Sequence, residues 1–228
     1  MEDFGSVIRD RRSIRKYLPE KVPDAVLREV LDEACWAPSW GNAQSTSVYV
    51  LSGNALERFK ASLLERSQSE TPPSPDLDIP MPWPEPFQGR MMGSMEARTA
   101  FMAEEEKKRG IVPPDPPVSR VVAAAGLFGA PHLLVVATSK DASKPYACFD
   151  AGLFTQTIAL AAQVRGLGTC IMAAVILFPE LLRALIPDSE KEIFIIGVAI
   201  GYSDRDAITN QSPRERVPLA ERVQFFQT

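Results

Sequence analysis

The chain has 228 residues, of which 45% are hydrophobic and 24% charged, so it is long enough to bury a substantial core. Its net charge of −4 argues against long nucleic acids and anionic membranes as partners. Three cysteines without a C-x-x-C pair and a single histidine argue against a disulfide framework or a zinc site. Because the N-terminus also lacks the pattern of a secretory signal, we expect a cytoplasmic protein.

The first predicted helix, residues 2–11, leads directly into a cluster of positive charge. Arg11, Arg12 and Arg15 surround the hydroxyl of Ser13 within five residues. Guanidinium groups present planar forks of donors that match phosphate oxygens in pairs, so such a cluster favours a phosphate ligand. An isolated arginine run is more often a solvated surface, and a second anchor is needed to decide.

That second anchor lies near the other end of the chain. Arg214 and Arg216 are spaced two apart, so an extended segment directs both side chains to the same side. The two ends of the chain can therefore clamp one phosphate.

Between these ends, the apolar spacing predicts helices and strands in an irregular order. A helix that begins near Asp24 ends before Pro38. The predicted helices that follow contain Leu56–Leu64 or cover residues 90–109, 147–165 and 179–186. The predicted strands lie at 47–51, 133–137, within 166–174, and at 193–200. There are too few βα repeats for a doubly wound sheet, which favours an α+β fold with a central sheet flanked by helices.

The apolar run 121–138 approaches the length of a membrane span. Gly126, Gly129 and Pro131 interrupt it, so a helix end that feeds a buried strand explains the run better. His132 stands at the mouth of this strand and is interpreted as a structural histidine.

Residues 67–117 contain 11 of the 20 prolines and are interpreted as a long loop or lid inserted in a single domain that spans 1–228. The helix at 90–109 carries Met91, Met95 and Met102 near one face, where they can cover a variable substrate pocket beside Trp83 and Phe87. Ordinary packing under a long loop explains the same residues equally well.

The predicted helix at 147–165 has apolar residues almost all round it. Such a helix is buried on most sides, and in a chain of this size a second copy can cover the remaining face. This pattern suggests a homodimer.

No nucleophile with its base, paired carboxylate or nucleotide-binding glycine motif is evident, so protein side chains alone provide no reaction centre. A phosphate clamp without acid–base machinery is consistent with a bound cofactor that supplies the chemistry.

The combination of Arg11-Arg12-Ser13-x-Arg15, a turn at Ala37–Gln44 and the late Arg214-x-Arg216 resembles the FMN-dependent nitroreductase family. The resemblance implies a mostly antiparallel sheet in an intertwined homodimer, with FMN at the interface. It also implies NADH or NADPH as donor, and electron transfer by a ping-pong mechanism to a small nitroaromatic or similar electrophilic acceptor.

The same resemblance assigns roles to individual residues. It places Arg11, Arg12, Ser13, Arg214 and Arg216 at the FMN phosphate and Arg15 near the flavin pyrimidine. The turn is expected to line the flavin from the other subunit through Pro38, Ser39, Trp40 and Asn42. After the third strand, the small residues Ala173 and Ala174 are expected to let backbone donors approach the flavin.

Two alternatives remain open at this stage. The same flavin scaffold supports reductive dehalogenation, enone reduction or flavin fragmentation, and fold analogy does not choose among them. A nonredox protein that binds a phosphate or nucleotide is the second alternative.

Overall fold

The computed structural model describes residues 3–79, 81–112 and 119–226. Eight α-helices and four strands lie within these ranges. The helices are α1 Phe4–Asp10, α2 Asp24–Ala34, α3 Gly53–Gln68, α4 Phe87–Arg109, α5 Arg120–Ala125, α6 Lys144–Val164, α7 Pro179–Arg183 and α8 Ile208–Gln211, and the strands are β1 Thr46–Ser52, β2 His132–Ser139, β3 Leu167–Met172 and β4 Glu192–Tyr202.

The four strands form one sheet in the order β1-β2-β4-β3, and every pairing is antiparallel. The α+β prediction with a mostly antiparallel central sheet is confirmed. The two central strands are the two continuous apolar runs of the sequence, because strands that are covered on both faces need apolar residues at every position. Along β2, all residues except the last are buried.

The sheet separates two hydrophobic cores. On one face, Leu133 and Val135 pack with residues of α3, α5 and α7. On the other face, their neighbours Leu134 and Val136 pack with residues of α2 and α6. Alternate residues of one strand thus serve opposite cores, as the period of two requires, and the fold has three layers.

Three predicted helices differ from the observed ones by three residues at one end. α6 and α4 each begin three residues earlier than predicted, and Pro145 provides the preset first turn of α6. α7 ends at Arg183 rather than Ile186. Ile186 precedes Pro187, whose ring disfavours helical geometry in the residue before it.

The proline-rich segment contains an irregular stretch followed by α4. α4 ends at Gly110, whose φ of 65° is the left-handed conformation that glycine adopts without strain. Pro80 and residues 113–118, where the predicted lid ends, lie outside the described residues. The single domain with a lid at 67–117 stays a prediction.

Among the described helices, none combines the length and apolarity needed to cross a membrane. The apolar run at 121–138 divides into α5 and β2, as expected from its glycines.

His132 is 3% exposed and occupies a structural position, as predicted. Its Nε2 accepts a hydrogen bond from the Val22 N–H at 3.1 Å. Nδ1 therefore carries the proton in the neutral ring and donates to Ser52 Oγ at 2.6 Å. Burial lowers the pKa of His132, and the nearby Asp24 carboxylate opposes this shift only in part.

We expect His132 to make stability fall at acidic pH. The unfolded chain binds a proton at this residue near pH 6.5, whereas the folded chain binds it only at lower pH, so stability is lost as pH drops below about 6.5. In urea unfolding between about pH 7.5 and 5.5, His132→Gln should lose less stability than the wild type.

Ser52→Ala is the matched control, because it removes a partner of the imidazole but leaves the ring able to titrate. Equal pH dependence in the wild type and His132→Gln would contradict this assignment.

Candidate functional site

Residues 11–17, called here the arginine segment, lie along the edge of the sheet beside β3. Ser13 forms a bridge with Thr169, and the Ile14 N–H donates to the Thr169 carbonyl at 2.9 Å. Ile14 is buried over Gly168, where an added Cβ would lie 2.5 Å from Ile14 Cγ1. Glycine at this position therefore permits the segment to approach the strand.

Tyr17 fixes the end of the same segment. Its side chain is 4% exposed, and its hydroxyl donates to the carbonyl of Ala199 on β4 at 3.1 Å. Tyr17 also forms a bridge with Ser203, just past the end of β4. Because Ile14 and Tyr17 are both anchored in the core, the intervening Arg15 has a defined position.

Asn210 of α8 joins the arginine segment to the C-terminal part of the chain. Its Oδ1 accepts from the Arg15 N–H at 2.7 Å, while its Nδ2 donates to the carbonyls of Lys16 and Asp204, each at 2.8 Å. The side chain is 5% exposed, and its amide is satisfied by these three bonds. Sequence reasoning missed Asn210, since an isolated asparagine in a polar stretch gives no periodic or motif signal.

Arg12 and Arg214 reinforce this connection from opposite sides. The Arg12 guanidinium donates to the carbonyls of Asn210 and Ser212, the latter at 3.0 Å. The Arg214 guanidinium donates to the carbonyls of Arg9 and Arg11. The two arginine groups of the sequence thus lie together, as predicted, and part of their hydrogen bonding holds the two segments in place.

Arg11, Arg214 and Arg216 form a region of concentrated positive charge. Burial lowers the pKa of Arg11, and the charge of Arg216 lowers it further. Burial also lowers the pKa of Arg214, with contributions from Arg12, Arg11 and Arg216. Among the described residues, none of these arginines forms an ion pair with a carboxylate. Guanidinium groups that are crowded in this way provide a site for an anion.

A second group of residues extends the positive region along β3. Burial raises the pKa of the Cys170 thiol, although Arg15, Arg98, Ser13 and Arg11 all act to lower it. Arg98 comes from α4 and was missed by sequence reasoning. The available signal was its helical spacing between Met95 and Met102, which puts all three on one face.

The turn at Pro38–Asn42 lies against α6. The Trp40 N–H donates to both oxygens of the buried Asp150, at 3.0 and 3.2 Å, and the Trp40 ring lies 5.3 Å from that of Tyr146. Ser39 Oγ accepts from the Gln44 N–H at 2.9 Å. Asn42 has a φ of 57°, a left-handed conformation that asparagine tolerates in turns. Within the described part of the chain, no hydrogen bond joins this turn to the arginine segment.

The remaining predicted residues occupy two separate places. Ala173 and Ala174 begin a short 3₁₀ turn at the end of β3, about 10 Å along the strand from Cys170. Trp83 and Phe87 form an exposed edge-to-face pair with ring centroids 6.3 Å apart at the start of α4. Among the described residues, neither Trp83 nor Phe87 forms a hydrogen bond or an aromatic or cation–π contact with Arg11, Arg12, Arg15, Arg214 or Arg216.

We expect Asn210→Ala to destabilise the protein by about 1 to 3 kcal/mol, because it leaves the Arg15 N–H and two carbonyls without their partners. Urea unfolding measures this loss. We also expect inorganic phosphate, relative to chloride, to raise the melting temperature of the variant less than that of the wild type, since ligand binding to the folded state raises stability.

Thr209→Ala is the matched control, because Thr209 is one residue away on α8 and its side chain forms no hydrogen bond with any other residue that the structure describes. An Asn210→Ala variant as stable as Thr209→Ala would contradict the role of Asn210.

Comparison with known proteins identifies the family of this chain. The nitroreductase family model matches residues 8–202. The chain is 29% identical over 220 residues to a 4-nitrobenzoate reductase from Pseudomonas putida, with 94% of this chain and 92% of that protein covered.

Solved structures agree over the whole chain. The FMN- and NADPH-dependent nitroreductase NfnB from Sphigopyxis sp. strain HMH has a TM-score of 0.87 at 25% identity, with complete coverage of both chains. The FMN-dependent nitroreductase NfnB from Mycobacterium smegmatis, solved with NADPH, has a TM-score of 0.85 at 23% identity and covers 98% of this chain and 97% of its own.

Proposed function

Because the chain belongs to the nitroreductase family, we propose that it is an FMN-dependent oxidoreductase that uses NADH or NADPH to reduce a small nitroaromatic acceptor. The observation that carries this proposal is a group of arginines from both ends of the chain that forms no ion pair with any carboxylate in the described ranges. Its charge and geometry fit the phosphate of FMN. Bound FMN supplies reversible two-electron chemistry, so donor and acceptor use one site in turn.

The phosphate end of the proposed site divides its work among several arginines. Arg11, Arg214 and Arg216 provide the positive charge that holds the phosphate, and the Ser13 hydroxyl adds a donor beside them. Arg12 and Arg214 each donate to two carbonyls, so we assign both of them to positioning the two segments in addition to their charge. These two tasks, phosphate binding and positioning, explain why the two segments together contain more arginines than one phosphate can contact.

The other end of the proposed site places charge and open backbone near the reacting ring. Arg15, fixed by Asn210, provides a cation that stabilises negative charge on the pyrimidine side. Ala173 and Ala174 follow β3 with side chains small enough to leave their backbone accessible. Trp83 and Phe87 are candidates for contacts with the aromatic acceptor.

We also propose a homodimer in which the turn at Pro38–Asn42 covers the cofactor of the partner subunit. Around α6, the side chains of Phe4, Trp40, Tyr146 and Phe149 are each more than half exposed. The tail adds Phe225 and Phe226, which are 78% and 89% exposed. Large apolar groups concentrated in this way mark an interaction surface.

We place the enzyme in the cytoplasm on the basis of its cysteine usage. Cys35, Cys148 and Cys170 are all free thiols, a state that persists in reducing compartments.

We expect the purified protein to be yellow and to release FMN on heating, at about one FMN per chain. Arg11→Ala should retain less FMN, because the phosphate loses a charge-assisted partner. Absorbance spectroscopy and chromatography of the released flavin measure both results. A colourless protein that takes up no added FMN would contradict the proposal and favour the nonredox alternative.

We expect Phe149→Glu to convert the dimer to a monomer, because a charge on the exposed face of α6 would be buried on association. Sedimentation should give twice the chain mass of 25.1 kDa for the wild type and the chain mass for the variant. The monomer should also lose FMN.

Ala61→Glu provides a control, since it adds the same charge to an exposed position on α3, on the opposite face of the sheet. A monomeric wild type, or a dimeric Phe149→Glu variant that retains FMN, would contradict the proposed interface.

A further inference from the structure

Arg98 lies on the face of α4 that is turned toward the body of the protein. Met95, Arg98 and Met102 are half-buried on this face, whereas no residue of α4 is fully buried. Near the end of the helix, Arg109 donates to the Asp206 carbonyl at 3.1 Å and to Gln211 Oε1 at 2.6 Å. These bonds hold α4 against the segment that also carries Asn210.

Two other elements bring guanidinium groups toward Arg98. Arg15 belongs to the arginine segment, and Arg120 begins α5, where its Nη2 donates to Thr99 Oγ1 on α4 at 3.2 Å. Burial lowers the pKa of Arg98, and the charges of Arg15 and Arg120 lower it further. None of the three forms an ion pair with a carboxylate in the described ranges.

The number of arginines exceeds what the proposed cofactor phosphate requires. A phosphate monoester carries about −1.5 to −2 charges near pH 7, which Arg11, Arg214 and Arg216 already match. Arg98 and Arg120 come from α4 and α5 instead, and their charges act on one another beside that of Arg15. Partial burial of a guanidinium without a carboxylate partner costs free energy, and a bound anion offsets that cost.

We propose that Arg98, supported by Arg120, binds the carboxylate of an anionic nitroaromatic acceptor. This inference rests on the proposed function and specifies its substrate class. The planar fork of a guanidinium pairs with both oxygens of a carboxylate. Met95 and Met102 flank Arg98 on the same face and provide adaptable apolar contacts for the attached ring. Arg98 is thus a specificity-determining residue of α4.

The test compares acceptors that differ in a single carboxylate. With the FMN-loaded protein, Arg98→Gln should lower kcat/KM for 4-nitrobenzoate by about tenfold or more, as expected when a charge-assisted hydrogen bond is lost. The value for neutral nitrobenzene should be unchanged, and Arg98→Lys should recover part of the loss. Arg90→Gln is the matched control, since Arg90 is an exposed arginine of the same helix.

A binding measurement keeps the result independent of turnover. Benzoate, which carries the carboxylate but no reducible group, is titrated into wild type and Arg98→Gln by calorimetry. The affinity for benzoate should weaken by about the same factor as kcat/KM for 4-nitrobenzoate.

Several outcomes would overturn the inference. Equal losses for 4-nitrobenzoate and nitrobenzene, or an unchanged benzoate affinity, would remove the carboxylate subsite. Loss of FMN from Arg98→Gln would assign Arg98 to the cofactor, and a raised KM for NADPH but not NADH would assign it to the donor phosphate. If the wild type reduces neither acceptor, the proposed function fails, while the benzoate titration still decides whether Arg98 binds a carboxylate.

Discussion

The hydrogen bonds of Asn210 are the contact on which the site depends. One buried amide accepts from the backbone of Arg15 and donates to the backbone of Lys16 and Asp204. A buried amide that makes all these bonds defines one geometry, because any displacement leaves polar groups unpaired. The positive charges of the two segments repel one another, and this satisfied network, with the carbonyl contacts of Arg12 and Arg214, holds them together.

The sheet provides the rigid support for that network. β4 is central and bears Ala199, the partner of Tyr17, while β3 at the edge leaves its outer side open to the arginine segment. Burial on both faces fixes the register of the central strands, since a slip of one residue would exchange the two cores. Tyr17 thus ties the charged segment to a central strand, whereas the aromatic pair of Trp83 and Phe87 lies on an exposed part of the fold.

The sequence predicted most of the layers and both halves of the arginine cluster, because each follows from local patterns. Apolar periodicity located α2, α3, β1 and β4, and the two arginine groups are visible without any knowledge of the fold. The sequence analysis missed Asn210 and Arg98 for a different reason. Each derives its role from neighbours in distant parts of the chain, and no spacing in the sequence marks a contact of that kind. The prediction made α7 three residues too long, because it followed the apolar spacing and gave too little weight to Pro187.

The separation between Arg12 and Asn210 has a consequence for the synthesis of the protein. The two residues are 198 positions apart, so a chain emerging from the ribosome contains the arginine segment long before its partner. Contacts of such sequence separation form late, because closure of the chain must precede them. The anion site exists only after residues 210–216 have emerged. The proposed anion site therefore forms only when synthesis of the chain is nearly complete, and a chain without its last twenty residues lacks Asn210, Arg214 and Arg216.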